Sequence, residues 1–245
     1  MNNLQQFALA LEPVARGRIA AFGLTTAAFA TAARLLRGVT SSGAVAGGVV
    51  CLLLMLAAAW GGFAALGAVF IMTWVATRIG YRRKQQLGSA ERHAGRSAGQ
   101  VLANLGVPAL AALLYMVLHD PRLLVAMGAA LSEVAADTLS SEIGVLGGTP
   151  RLLTTWRAVP AGTDGAITWL GTLIAILAAM VVSLVCAVTR VFPAGYFLPC
   201  AAAGMAGTLA DSLLGATLER KGILNNNGVN FLATVCAALL AFAFV

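Results

Sequence analysis

The stretch Ser132-Glu133-Val134-Ala135-Ala136-Asp137-Thr138-Leu139-Ser140-Ser141-Glu142 follows residues 125–131, an apolar run that would suit the interior of a membrane. Three acids within ten residues need a reason in such a setting. A helix places Glu133 and Asp137 on one face, one turn apart, with Ser132, Ser140 and Ser141 flanking it. Glu142 lies five residues beyond Asp137 and points elsewhere on a straight helix. Ionisable groups inside a membrane are costly and tend to mark substrate or ion sites. The stretch therefore reads as the functional segment of a membrane-spanning helix.

The composition agrees. Of 245 residues, 60% are hydrophobic and 10% charged, and the mean hydropathy is +0.88. That is too little charge to cover a soluble domain. The expected fold class is all-α, a polytopic helical membrane protein of about seven or eight transmembrane helices. The 27 glycines suit helices that pack closely without a hydrophobic drive between them. The net charge of +7 arises from bases in short loops between apolar runs, a pattern of orientation signals and not of a nucleic-acid surface. Cys51, Cys186, Cys200 and Cys236 are scattered in apolar runs and read as small buried hydrophobes. His93 and His119 stand apart, so no histidine cluster is available for a metal. Residues 1–18 lack the apolar core and cleavage site of a signal peptide and read as an interfacial segment. Residues 19–245 form one integral membrane domain.

Eight apolar runs can be drawn, at roughly 19–36, 43–60, 62–78, 101–118, 122–143, 167–188, 195–217 and 229–245. Runs two and three are separated by little more than Gly61-Gly62, a tight turn. Run one carries Thr25, Thr26, Thr31 and Arg34 and could instead lie on the membrane surface. If all eight cross, one side receives Arg34, Arg37, Arg78, Arg82, Arg83, Lys84, Arg92, Arg96, Arg151, Arg157, Arg220 and Lys221. The other receives Arg16, Arg18, Arg122 and Arg190, completing the 16 bases of the chain. This asymmetry makes the first side cytoplasmic, as expected for a bacterial inner (plasma) membrane protein.

The same alternation gathers the polar residues on that side. They are the end of run five, residues 162–165 opening run six, Asp211 and Ser212 ending run seven, residues 225–230 opening run eight, Gln100 and Asn104, and Ser41-Ser42. There is also a faint internal repeat: Ala136-Asp137-Thr138-Leu139 is echoed by Ala210-Asp211-Ser212-Leu213. Two related hairpins in parallel orientation would bring the two aspartates together. Glu133, Asp137 and Asp211 are candidate ligands for magnesium, which takes one or two carboxylates and completes its shell with water and phosphate. The plain alternative is protonated acids hydrogen-bonded between helices. One asparagine of Asn225-Asn226-Asn227-Gly228-Val229-Asn230 is explained by capping a helix. The others, together with free N–H groups at a helix start, suit phosphate or a metal-bound phosphate.

No phosphate-binding loop of the Gly-x-x-x-x-Gly-Lys-Ser/Thr type occurs. The motifs resemble instead the family of phytyl-phosphate kinase and transmembrane protein 19. The matching segments are residues 95–104 (GRSAGQVLAN), 136–144 (ADTLSSEIG), 150–155 (PRLLTT), 159–165 (VPAGTDG), 209–217 (LADSLLGAT) and 226–231 (NNGVNF). They run in order over most of residues 38–245. Asp164 stands where the family loop usually has asparagine, and Ala166 where it has a second glycine.

The resemblance implies an integral membrane kinase that moves a phosphoryl group from a nucleoside triphosphate, CTP foremost, to a prenyl monophosphate such as phytyl or geranylgeranyl phosphate. The reading of the residues fits it, with Mg2+ as cofactor, Asp137 and Asp211 catalytic, and the metal held by Asp137 and Asp211 with Glu133 or Glu142. Phosphate and substrate would be held by Asn104, Arg96, Ser141, Asp164, Ser212, Asn226, Asn227, Asn230 and Lys221. A cytidylyltransferase acting on a lipid phosphate would use the same parts. A transporter of a small anion or prenyl lipid would call for polar groups in the outer half as well. Partners are the triphosphate, the lipid phosphate and membrane lipids, with no nucleic acid and no oligomer specified by the residues.

Overall fold

The computed structural model describes residues 3–87 and 95–245, with residues 3–16 as backbone only. Arg92 and His93 lie outside the described residues. In chain order the elements are α1 (Asn3–Leu35), α2 (Ser41–Arg78), α3 (Tyr81–Gln86), α4 (Ala98–Leu118), α5 (Arg122–Gly144), β1 (Arg151–Leu152), β2 (Ala166–Ile167), α6 (Trp169–Val188), α7 (Phe197–Leu214) and α8 (Asn226–Ala243). A π-helical turn, Gly215–Glu219, extends α7. Among the described residues six helices are long and apolar enough to cross a membrane: α2, α4, α5, α6, α7 with its flanking turns, and α8. The chain is an all-α integral membrane protein, as its composition predicts.

Runs two and three form the single element α2, which leaves helical geometry at Ala58 (φ −128°) and Ala59 (φ 50°, ψ −135°). There it doubles back. The carbonyl of Leu54 comes so close to Gly62 that a Cβ on Gly62 would sit 2.2 Å from it. The reversal thus falls just before the two glycines, and Gly62 is the residue that lets the arms close. α1 is continuous across the expected boundary at residue 18 and lies against both arms of α2. Phe29 makes edge contacts with Phe63 and Phe70, and Phe22 with Trp60.

α5 is the hub. Five of the other helices, α2, α4, α6, α7 and α8, pack against it, and every side chain from Val125 to Ala136 is buried. Leucines and valines on the outer faces of α4, α6 and α8 are exposed instead, including Leu110, Val117, Leu173, Leu184 and Leu239. An outward-facing apolar belt around a small-residue core is what a bilayer solvent selects.

α5 and α7 run parallel and in register, as the internal echo predicts. An added Cβ on Gly204 would meet Ser132 Cβ at 2.8 Å, and one on Gly207 would meet Glu133 Cγ at 2.7 Å. One turn further on, Asp137 and Asp211 are in contact. The absence of side chains at Gly204 and Gly207 sets how closely the two helices approach.

The described parts of the loops expected on the basic side come together there. Val39 bridges to Arg96, joining the starts of α2 and α4. Lys84, a buried base on α3, forms an ion pair with Glu142 of α5 and donates to the carbonyls of Ala76 (2.9 Å) and Thr77 (3.0 Å). At the opposite end Asp120 and Arg122 pair at 2.7 Å, and the Arg122 hydrogen bonds hold the Asp120 carboxyl below the usual carboxylate range.

Candidate functional site

A polar cleft of about 370 Å³ opens at the basic end of the bundle. Each wall is built by a local signal in the sequence. Ser97 caps α4 and forms a reciprocal capping box with Gln100, whose Oε1 accepts from the Ser97 N–H at 2.9 Å. Gln100 is thus committed to the cap, while Asn104, one turn on, faces the cleft. Asn225 caps α8 by accepting from the Gly228 N–H at 2.9 Å. It is the asparagine that capping explains, and it leaves Asn226, Asn227 and Asn230 to line the cleft.

The acids meet at the floor. Asp137 and Asp211 are in side-chain hydrogen-bonding contact, and Arg96 lies close enough to act on Asp137. With its amide oriented to satisfy both neighbours, Asn230 donates to Asp211 Oδ2 (3.3 Å) and the Asn226 carbonyl (3.0 Å), and accepts from Asn104 Nδ2 (3.2 Å). Two carboxylates in contact need a counter-charge between them, either a shared proton or a cation.

The loop with Gly162, Thr163, Asp164 and Gly165 does not open α6, which Thr168 caps instead. It folds back through the β1–β2 ladder, Arg151 opposite Ile167 and Leu152 opposite Ala166. Gly165 has φ +70°, and a Cβ there would lie 2.1 Å from the Ala216 N. The glycine therefore lets the loop seat against the π-helical turn, which carries Asp164 to the cleft beside Glu219.

Of the residues expected from sequence, Arg96, Asn104, Asp137, Ser141, Glu142, Asp164, Asp211, Ser212, Asn226, Asn227 and Asn230 all line the cleft. Ser141 also donates to the Asp137 carbonyl at 3.0 Å. Glu142 lines the wall with its carboxylate engaged by Lys84. Glu133 is buried one turn below the floor, against Gly207, and does not line the cleft. Lys221 is exposed on the connection before α8, outside the lining. Glu219 is the residue that sequence reasoning missed. It lies eight positions past Asp211, off that face of a regular α-helix, and the wider π-turn brings it in.

Magnesium can be weighed against this donor set. The described residues contain no cluster of three His, Cys, Asp or Glu able to hold a metal. The cleft offers the Asp137–Asp211 pair, amide and hydroxyl oxygens, and open volume. Two carboxylates among oxygen donors, with room for water and phosphate, match what a hard divalent cation takes.

The comparisons with known proteins agree with a membrane assignment. The family model described as integral membrane protein DUF92 matches residues 24–238. An uncharacterized membrane protein of Methanocaldococcus jannaschii is 39% identical over 180 residues, covering 70% of this chain and 71% of that protein. One from Synechocystis is 31% identical over 199 residues, 79% of this chain and 77% of its own. The chloroplastic protein VTE6 of Arabidopsis thaliana is 29% identical over 222 residues, 84% of this chain and 65% of its own. No solved structure matches the chain.

Proposed function

The chain belongs to the integral membrane family DUF92, the phytyl-phosphate kinase-like family that its motifs resemble, and on that premise we propose that it phosphorylates a prenyl monophosphate. The donor is a nucleoside triphosphate, with CTP the first to test, and the cleft faces the cytoplasm. The observation that carries this reading is the Asp137–Asp211 contact, ringed by Asn104, Asn226, Asn227, Asn230 and Arg96 in one cleft. Carboxylates, amides and a guanidinium around a shared volume suit two phosphates that must be brought together without mutual repulsion.

Asp137 and Asp211 would hold a divalent cation such as Mg2+, which supplies neutralisation of charge on the phosphoryl oxygens. Asn226, Asn227 and the free N–H groups at the start of α8 donate to phosphate oxygens. Arg96 balances the acceptor phosphate and draws it toward the acids. An oxygen of the acceptor phosphate attacks the terminal phosphorus of the donor. The bond from that phosphorus to the bridging oxygen breaks, and the nucleoside diphosphate leaves. The attacking oxygen is already anionic, so no strong base is needed, which suits a cleft lined by no histidine among the described residues. Concentration of the polar groups at one end of the bundle supports a surface enzyme over a transport path.

The test is direct. Purified protein in detergent is incubated with phytyl or geranylgeranyl phosphate, magnesium and labelled CTP. A lipid diphosphate supports the proposal, and a CDP-lipid reassigns the cleft to a cytidylyltransferase. No turnover with any nucleoside triphosphate overturns both.

A further inference from the structure

A second cavity, of about 320 Å³, lies between α1, both arms of α2 and α4. Its walls are mostly apolar. Phe29, Phe70 and Trp74 line it together with small residues such as Ala30, Ala44 and Gly47. Along α2 the lining runs from Leu66 to Arg78, roughly 18 Å of helix. No described residue of the lining is acidic, and three arginines stand at the end nearest the polar cleft: Arg37, Arg78 and Arg96.

Two features tie this cavity to the cleft. Arg96, Gln100 and Asn104 line both, so the volumes meet at the start of α4. That junction is held by backbone: the Arg96 N–H donates to the Gly38 carbonyl (3.1 Å), and the Arg96 carbonyl accepts from the Thr40 N–H (3.0 Å). Gly95, at φ +80°, permits the contact, since a Cβ there would lie 2.6 Å from the Val39 N. Arg78 is fixed at the same rim, with its guanidinium 3.8 Å from the Trp74 ring centroid and donating to the Leu36 carbonyl at 2.7 Å.

We infer that this cavity receives the hydrocarbon tail of the lipid phosphate whose head occupies the cleft, with Arg96 at the turn between head and tail. The inference rests on the lipid-phosphate reading of the cleft and adds the place of the tail. An amphiphile spanning both volumes keeps its phosphate among the acids and amides and its chain among Phe29, Leu66 and Phe70. The cavity volume falls within the ~300–1,000 Å³ of ordinary ligand pockets. Its arginine rim and acid-free lining favour an anionic head over a neutral one. A bilayer lipid is the rival occupant.

Gly47 offers a clean test, because an added Cβ would meet nothing within 4 Å. A Gly47→Phe side chain would occupy the cavity. Gly67 is equally open but lines neither volume, so Gly67→Phe serves as the control. The readout is the ratio of kcat/KM for geranylgeranyl phosphate to that for dimethylallyl phosphate. Gly47→Phe is expected to lower this ratio at least 10-fold and Gly67→Phe to leave it as in the native chain. An unchanged ratio in Gly47→Phe overturns the inference.

A second readout needs no turnover and no variant. Geranylgeranyl phosphate bearing a diazirine at its far end is photolysed with the native protein, and the labelled peptides are mapped. Label on the segments around Phe29, Leu66 or Phe70 supports the tail site, even if no kinase activity is found. Label confined to the outer faces of α6 or α8, or label lost as readily to phosphatidylcholine as to unlabelled geranylgeranyl phosphate, overturns it.

Discussion

Asp137 and Asp211 are two acids, 74 positions apart in the chain, that touch at the floor of an open cleft. Their replacement is the sharpest test of the proposed chemistry. Asp137→Asn and Asp211→Asn keep size and hydrogen bonding but remove the charge, and each is expected to lower turnover by about 100-fold or more, the scale of losing one well-placed electrostatic group. The melting temperature in detergent should stay near that of the native protein. Near-native turnover in either variant removes the metal-ligand assignment. Glu133 separates two roles that sequence alone merges. It is buried against Gly207 and outside the lining, so Glu133→Gln is expected to impair turnover less than Asp137→Asn in the same assay.

At the level of elements, the site depends on three contacts that hold short segments in place. The first is the Lys84–Glu142 pair, which ties α3 to α5 beside the cleft. Lys84 is buried and Glu142 partly so, so removing the base leaves a partly desolvated carboxylate uncompensated, at a cost below the ~3–5 kcal/mol of a fully buried pair. Lys84→Met should therefore lower the melting temperature markedly, and the double variant Lys84→Met/Glu142→Leu should recover part of the loss. A double variant no better than the single one would show that the Lys84 bonds to the Ala76 and Thr77 carbonyls dominate. The second is Gly165 against the π-helical turn. Gly165→Ala adds a left-handed alanine and a backbone clash, so it should release the loop, expose it to limited proteolysis and reduce turnover. The third is the approach of α5 and α7 at Gly204 and Gly207, where a single methyl reaches the neighbouring helix. Overpacking of this kind costs about 1–3 kcal/mol, so Gly207→Ala should be less stable to heat in detergent.

For the molecule as a whole, the paired helices and the loop pattern make one prediction about the membrane. Single cysteines at Ser41, Thr155 and Lys221 should react with an impermeant thiol reagent from one side, and cysteines at Asp120 and Arg190 from the other. Inverted and right-side-out vesicles distinguish the sides, and reaction of Lys221 and Asp120 positions from the same face would sink the topology. The expected cytoplasmic assignment is the side of Lys221.

Much of this was legible in the sequence because a bilayer imposes simple rules. Apolar length marks each spanning helix, charge asymmetry sorts the loops, and acids in apolar runs stand out by their cost. Those rules sufficed for the all-α class, for the one-sided polar chemistry and, through a four-residue echo, for the pairing of Asp137 with Asp211. They could not say which asparagine caps α8 and which face the cleft, because that depends on the turn leading into the helix. Nor could they reveal Glu219, whose place comes from a π-turn, or the engagement of Glu142 by Lys84, a contact across 58 positions. The apolar cavity beside the cleft was equally hidden. A cavity is a property of how helices fail to touch, and only the tertiary packing of α1, α2 and α4 decides where small residues leave a space and where they close it.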